Sequence, residues 1–175
     1  AEEAIEHYLN LAESALQIES HDFYCVYYSQ RASAIANKIN YSKKDSVSQK
    51  IESFLGNKEI RASVFIGIAE LLLKNHYIPS EKYLKLAEDI YSKSLSVKDY
   101  STCENLCDLL ILWYLRLKDT DREKQYRIEK ANLQVTIGDE VAEQENFMVS
   151  VHYYKEAFDM YRKIGGFEAT ISELR

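Results

Sequence analysis

Apolar residues recur along this chain at helical spacing. Phe147, Val151, Tyr154, Phe158 and Tyr161 step by four, three, four and three, which places them on one stripe of a helix. Glu145, Lys155, Glu156, Asp159, Arg162 and Lys163 fall off that stripe. Tyr100, Cys103, Leu106, Cys107, Leu110, Tyr114 and Leu117 form a second, wider stripe, and Ile60, Val64, Ile68, Leu71 and Leu72 a third. No segment alternates at the two-residue period of a strand. The pattern predicts eight helices, near 3–19, 22–39, 46–55, 58–75, 80–96, 100–118, 121–144 and 147–164. Short connections make consecutive helices antiparallel hairpins.

Boundary signals agree with this segmentation. Ser46 with Gln49, Ser101 with Glu104 and Thr120 with Glu123 have the spacing of a capping box, in which two side chains satisfy helix-start N–H groups reciprocally. Pro79 marks another start, because proline is tolerated in the first turn of a helix. Asp22 and Asn146 are further N-cap candidates, and Gly165-Gly166 supplies a residue that ends a helix at low steric cost.

Composition narrows the classes. Five Gly and one Pro in 175 residues leave too little turn chemistry for an all-β fold. An apolar fraction of 46%, with 14 Tyr, 6 Phe and 1 Trp, is not that of a disordered chain. The formal net charge of −6 ranks nucleic acid last among partners, with Arg116, Lys118, Arg122 and Lys124 as a local basic exception. Three Cys without a CxxC pair, and no apolar run of membrane-spanning length, lead us to expect a cytoplasmic protein with no membrane partner.

A repeat is visible. Tyr8-Leu9-Asn10-Leu11-Ala12-Glu13-Ser14 and Tyr83-Leu84-Lys85-Leu86-Ala87-Glu88-Asp89 agree at five of seven positions. Their offset of 75 residues, shared by two hairpins, gives a unit of about 37, within the range of helical-hairpin solenoids. The segment 131–164 resembles a tetratricopeptide repeat (TPR). Gly138 stands at the small position of the first helix, between Ile137 and Val141, and Asn146-Phe147 at the turn. Ser150, Val151, Tyr154, Ala157 and Phe158 follow along the second helix. Tyr8, Leu11, Ala12 and Ala15 match the first-helix pattern, as do Tyr83, Leu86, Ala87 and Ile90. Asp22-Phe23 and Asp99-Tyr100 resemble the turn before a second helix. The repeat-ending proline is absent except at Pro79, and 41–77 matches only as a generic hairpin.

The resemblance implies an all-α fold, a right-handed α-α superhelix of about four TPR-like antiparallel hairpins. It is expected to form one domain over 1–165, with 166–175 opening a further helix or linker of a longer protein. The implied function is a non-catalytic protein-interaction or scaffold module, the N-terminal helical domain of a larger intracellular protein. Its partner would be a protein, a peptide or another domain of the same chain. In such stacks the first helices line a groove. Carried over residue by residue, the groove positions are Glu6, Leu9 and Glu13, then Glu81, Leu84 and Glu88, then Asn132, Val135 and Asp139. Each set has an apolar centre flanked mostly by carboxylates or amide, which suits a basic or amphipathic peptide anchored on Leu9 and Leu84. Two alternatives remain: a helical enzyme or toxin-like domain with a dispersed active site, and a structural domain that self-associates as a weak homodimer.

Catalytic chemistry finds no motif here. The four His lack metal-ligand spacing, and no glycine-rich phosphate loop or GxSxG is present. Cys103 and Cys107 share a helix face, but lie on an apolar stripe and read as core. We therefore expect no catalytic, cofactor-binding or metal residues. Tyr24, Tyr27 and Tyr28 cluster on the second helix and are expected at the core or its edge. Tyr126 and Tyr153 fall off the main stripes and are expected to be exposed.

Overall fold

Eight α-helices, and no strand, make up the residues that the computed structural model describes, 1–39, 42–57 and 60–165. They are α1 (Glu2–Leu16), α2 (Asp22–Lys38), α3 (Lys44–Phe54), α4 (Ala62–Lys74), α5 (Lys82–Ser96), α6 (Tyr100–Leu117), α7 (Thr120–Glu143) and α8 (Phe147–Ile164). A 3₁₀ turn, Glu19–His21, joins α1 to α2. The fold is all-α. The expected helix start near Lys58 and the segment 166–175 lie outside the described residues. None of the helices described is long and apolar enough to cross a membrane.

Glycine does not end most of these helices. His76, Lys98, Lys118 and Glu145 do so, each in the left-handed region with φ between 59° and 61°. The N–H of each bonds back three residues, and the next N–H bonds back five, as in Asp99 to Ser94 and Asp119 to Tyr114. That pair of bonds is the Schellman motif, which satisfies carbonyls otherwise left open at a helix end. At Lys98-Asp99, Lys118-Asp119 and Glu145-Asn146 the following residue is already the N-cap of the next helix. One two-residue turn is thus repeated three times. It also corrects the predicted capping boxes. Asp99 accepts from Thr102 N at 3.2 Å and Asp119 from Arg122 N at 3.1 Å, so the caps lie one or two residues before Ser101 and Thr120. Ser46 lies inside the first turn of α3 and its hydroxyl donates to Lys43 O at 2.7 Å.

Contacts divide the chain into two compact units, Ala1–Ile90 and Tyr91 onward, the boundary falling inside α5. In the first, α2 packs against α1, α3 and α4. Its buried face carries only small residues, Cys25, Ser29, Ala32, Ser33 and Ala36. Large side chains come from its neighbours: Ile5 and Leu9 from α1, Ile51 and Phe54 from α3, and Phe65, Ile68 and Leu72 from α4. Close approach of α2 and α4 is fixed at Gly67, where a Cβ would lie 2.8 Å from a methyl of Val26. Glu52 of α3 holds the segment before α5. Its carboxylate accepts from Ser80 N at 2.5 Å, Ser80 Oγ at 2.6 Å and Tyr77 OH at 2.9 Å. Two pairs of equivalent positions in the sequence repeat share their environment: Leu9 and Leu84 are buried, as are Ala12 and Ala87.

In the second unit α7 packs on both α6 and α8. The pairs Tyr100–Glu140, Glu104–Gln134 and Asp108–Lys130 run in opposite directions, so α6 and α7 are antiparallel. Asp139–Tyr154 and Asn132–Tyr161 show the same for α7 and α8. Trp113, Leu106, Leu109 and Leu110 fill the centre of this unit. The expected stripe on α8 is rotated. Its buried positions are Ser150, Ala157 and Tyr161, while Tyr154 and Phe158 are half-buried and Phe147 and Val151 exposed. The small residues Gly138, Ser150 and Ala157 set this register, because the helices approach most closely where side chains are smallest.

Candidate interaction surface

The small-residue face of α2 has a counterpart on its other side. With Cys25, Ser29, Ala32, Ser33 and Ala36 turned inward, the aromatic residues of the same helix turn to solvent. Phe23 is 71% exposed, Tyr24 45% and Tyr27 38%. The expectation of core or core-edge positions fails for Tyr24 and Tyr27, because bulky rings would hold α2 away from its three neighbours. Tyr126 corrects the expectation in the opposite sense: it is buried, stacked on Tyr114 at 5.7 Å between centroids. Tyr153 is half-buried.

The exposed rings are ordered by helical spacing. Phe23 stacks on Tyr27 at 5.9 Å, and the Arg31 guanidinium lies 6.0 Å from the Tyr27 centroid. One turn to the side, Tyr24 stacks on Tyr28 at 5.9 Å, and Tyr28 stacks on Tyr8 of α1 at 6.1 Å. Two ladders of residues four apart therefore run side by side. Next to them lies an open cleft of about 440 Å³ between the end of α1 and the start of α2, lined by Leu11, Ala15, Ile18, His21, Tyr24 and Tyr28. His21 meets the Tyr24 ring edge-on at 5.3 Å.

What holds this surface in place lies beneath it. Asp22, the first residue of α2, pairs with Arg61 and accepts from Ser63 Oγ at 2.8 Å, tying the helix start to α4. Asp22 is therefore a tether between helices, and no side-chain cap hydrogen bond is made at the α2 start. Arg61 also reaches Ile18 O at 3.4 Å. Cys25 is buried one turn further on, and burial with the nearby Asp22 charge pushes its thiol up to about 12.

The predicted groove residues lie on or next to α1, α5 and α7. Leu9 and Leu84, its intended anchors, are 8% and 5% exposed and belong to the core. Their side chains are consumed by intramolecular packing, so neither offers a ligand an apolar foothold. Glu6 and Glu13 are exposed on α1, and Glu13 accepts from Lys50 Nζ at 2.7 Å. Glu81 is exposed just before α5, and Glu88 is half-buried on it. In the second unit Val135 packs against Ala131, Ala157 and Tyr161. Asn132 accepts from Tyr161 OH, and Asp139 from Tyr154 OH at 2.7 Å. These three α7 residues thus hold α8.

Cys103 and Cys107 are buried on α6, and burial raises both thiols, Cys107 to about 12. A thiol so far from ionisation is a poor nucleophile. Among the described residues no group of three His, Cys, Asp or Glu is placed to hold a metal ion. The rings of α2 were visible in the sequence, but their outward orientation was not. The signal was the inverted pattern of α2, whose small residues at 25, 29, 32 and 36 recur at the spacing of one helix face. No family model matches the chain, and neither a curated protein nor a solved structure matches it.

Proposed function

We propose that this chain is a non-catalytic protein-interaction module of TPR-like helical hairpins, and that its contact face is the aromatic surface of α1 and α2. The carrying observation is the outward orientation of Phe23, Tyr24 and Tyr27 on a helix that buries only small residues. Large rings displayed in register cost the chain solubility and add little to its core. Aromatic side chains are enriched at interfaces because they supply area at low conformational cost. The repeated turn at Lys98-Asp99, Lys118-Asp119 and Glu145-Asn146 supports the hairpin-repeat part of the reading.

The test is selection from a phage library of random peptides on the immobilised chain. Peptides should be enriched, and their binding should be lost in a Phe23→Ser/Tyr27→Ser variant. Exposed substitutions leave stability within about 0.5 kcal/mol each, so this variant should melt with the parent. Enrichment of nothing, or of peptides that bind parent and variant alike, overturns the assignment of the face.

A further inference from the structure

The first unit holds a second and larger cavity, of about 950 Å³, bounded by the end of α2, the start of α3 and the end of α4. It shares no described lining residue with the cleft beside the rings. Its wall is polar, and of the described residues on it only Ala36 and Val47 are aliphatic. Ser33 belongs to the buried face of α2 and is 7% exposed, yet it reaches this cavity. Among the described residues its hydroxyl has no hydrogen-bond partner. Buried hydroxyls are normally paired, so one left open towards a cavity marks a place for a ligand. One turn further along α2, Asn37 Nδ2 donates to Asn75 Oδ1 at 2.7 Å, and Asn75 Nδ2 donates to Leu71 O at 2.7 Å. Both amides are thereby fixed at the cavity wall.

The charge at the same wall is set by the start of α3. Lys43 is its N-cap and Lys44 its first residue, and no side-chain cap hydrogen bond is made there. Lysines at a helix N-terminus oppose the macrodipole, where a carboxylate or another anion is the favoured neighbour. Lys44 lines the cavity and, among the described residues, is in no ion pair. Lys74 lines it from the end of α4, exposed and only loosely paired with Glu70 at 3.4 Å. Asp45 is the one carboxylate among the described lining residues, against these two cations. The carbonyls that end α4 are closed off, since the N–H groups of Asn75, His76 and Tyr77 take up Leu71, Leu72 and Leu73.

We infer that this cavity binds a small phosphorylated, hydroxyl-bearing molecule, its phosphate held by Lys44, Lys74 and the α3 N-terminus and its hydroxyls by Ser33 and Asn37. A phosphate brings the negative charge and the several acceptor oxygens that two ammonium groups and a helix start can use. A neutral sugar would leave the lysines unanswered, and a bare ion would leave Ser33 unanswered. The site is independent of the aromatic face and of the reading built on it.

NMR titrations of the ¹⁵N-labelled chain with ribose 5-phosphate, ribose and inorganic phosphate test this. Ribose 5-phosphate should shift the amides of residues 44–48 and 75–77 saturably and bind several-fold more tightly than inorganic phosphate, while ribose should not bind. Lys44→Gln/Lys74→Gln should weaken ribose 5-phosphate at least about tenfold, because it removes both charge-assisted donors. Both lysines are exposed, and losing a cation from the α3 start relieves its dipole, so this variant should melt at or above the parent temperature. Ser33→Ala should weaken ribose 5-phosphate several-fold and leave inorganic phosphate unchanged. No saturable shift with either phosphate compound, ribose binding as tightly as its phosphate, or an affinity unmoved by the lysine substitutions overturns the inference. Equal affinity for ribose 5-phosphate and inorganic phosphate, both indifferent to Ser33→Ala, overturns the hydroxyl-bearing ligand.

Discussion

The ring of Tyr154 occupies the space that a side chain at Gly138 would need. A Cβ built there would lie 2.7 Å from one ring carbon and 2.9 Å from the next. The ring is held from its far end as well, its hydroxyl donating to Asp139 at 2.7 Å. Glycine in mid-helix costs up to about 1 kcal/mol against alanine, so close packing with α8 is what it supplies in return. Gly138→Ala should therefore destabilise the chain by about 1–2 kcal/mol net, the overpacking outweighing the propensity gain. In a Tyr154→Ala background the same substitution should become stabilising. Thermal melts of the four variants in the cycle check this, and a Gly138→Ala effect of the same sign in both backgrounds would refute the contact.

Glu52 makes stability depend on pH. Burial alone would raise its carboxyl, but hydrogen bonds from Ser80 and Tyr77 outweigh it and hold the group below its ordinary value of 4.5. A depressed carboxyl contributes stability that is fully present above its unfolded pKa and is lost as pH falls through the folded one. The melting temperature should drop as the solution is acidified below about 4.5, through the window of this group. Glu52→Gln should cost about 1–2 kcal/mol at neutral pH, because it disturbs hydrogen bonds to a charged acceptor. It should also make that part of the acid transition shallower. Parallel acid titrations of parent and variant would count against this role for Glu52.

Asp99 and Asp119, rather than the hydroxyl residues after them, accept from the third N–H of their helices. Asp99→Ala and Asp119→Ala should each cost about 1 kcal/mol. Ser101→Ala and Thr120→Ala should each stay within about 0.5 kcal/mol. Urea unfolding of the four single variants distinguishes the two registers.

These caps also illustrate where the sequence speaks and where it does not. Helix existence was legible because apolar spacing at Val64, Ile68, Leu71 and Leu72, and at Cys103, Leu106, Cys107 and Leu110, reflects burial that the structure contains. Cap register was not, since Ser101 and Asp99 are both chemically able. The choice is made by the preceding turn, which places Lys98 in the left-handed region and leaves Asp99 next in line. Gly138 was legible as a site of close approach. The outward face of α2 was not, because hydrophobicity alone ranks Phe23 and Tyr27 above Ala32 and Ser29 as core residues. Packing reversed that order: a helix with three neighbours is limited by the size of its buried side chains. Leu9 and Leu84 were read as anchors for a related reason. Leu9 and Leu84 repeat in sequence because they repeat in the core, and recurrence by itself does not separate packing from binding.

The left-handed residues that end the helices offer the last prediction. Lys118 and Glu145 adopt φ of 60° without being glycine. The left-handed region costs an ordinary L-residue about 1–2 kcal/mol, whereas glycine enters it freely but loses about 0.5–1 kcal/mol to its larger unfolded-state entropy. The difference favours glycine. Lys118→Gly and Glu145→Gly should each stabilise the chain by a few tenths to about 1 kcal/mol. The effect should be near additive, because the two turns lie at different helix junctions. Lys85→Gly serves as the contrast: Lys85 is exposed within α5, where glycine should cost about 1 kcal/mol. Melting temperatures that rise for the two turn variants and fall for the helical one would establish that the turn conformation, and not the removal of a charged side chain, sets the gain. A fall in all three would mean that Lys118 and Glu145 hold their turns through side-chain contacts, and the repeated two-residue turn would lose its backbone explanation.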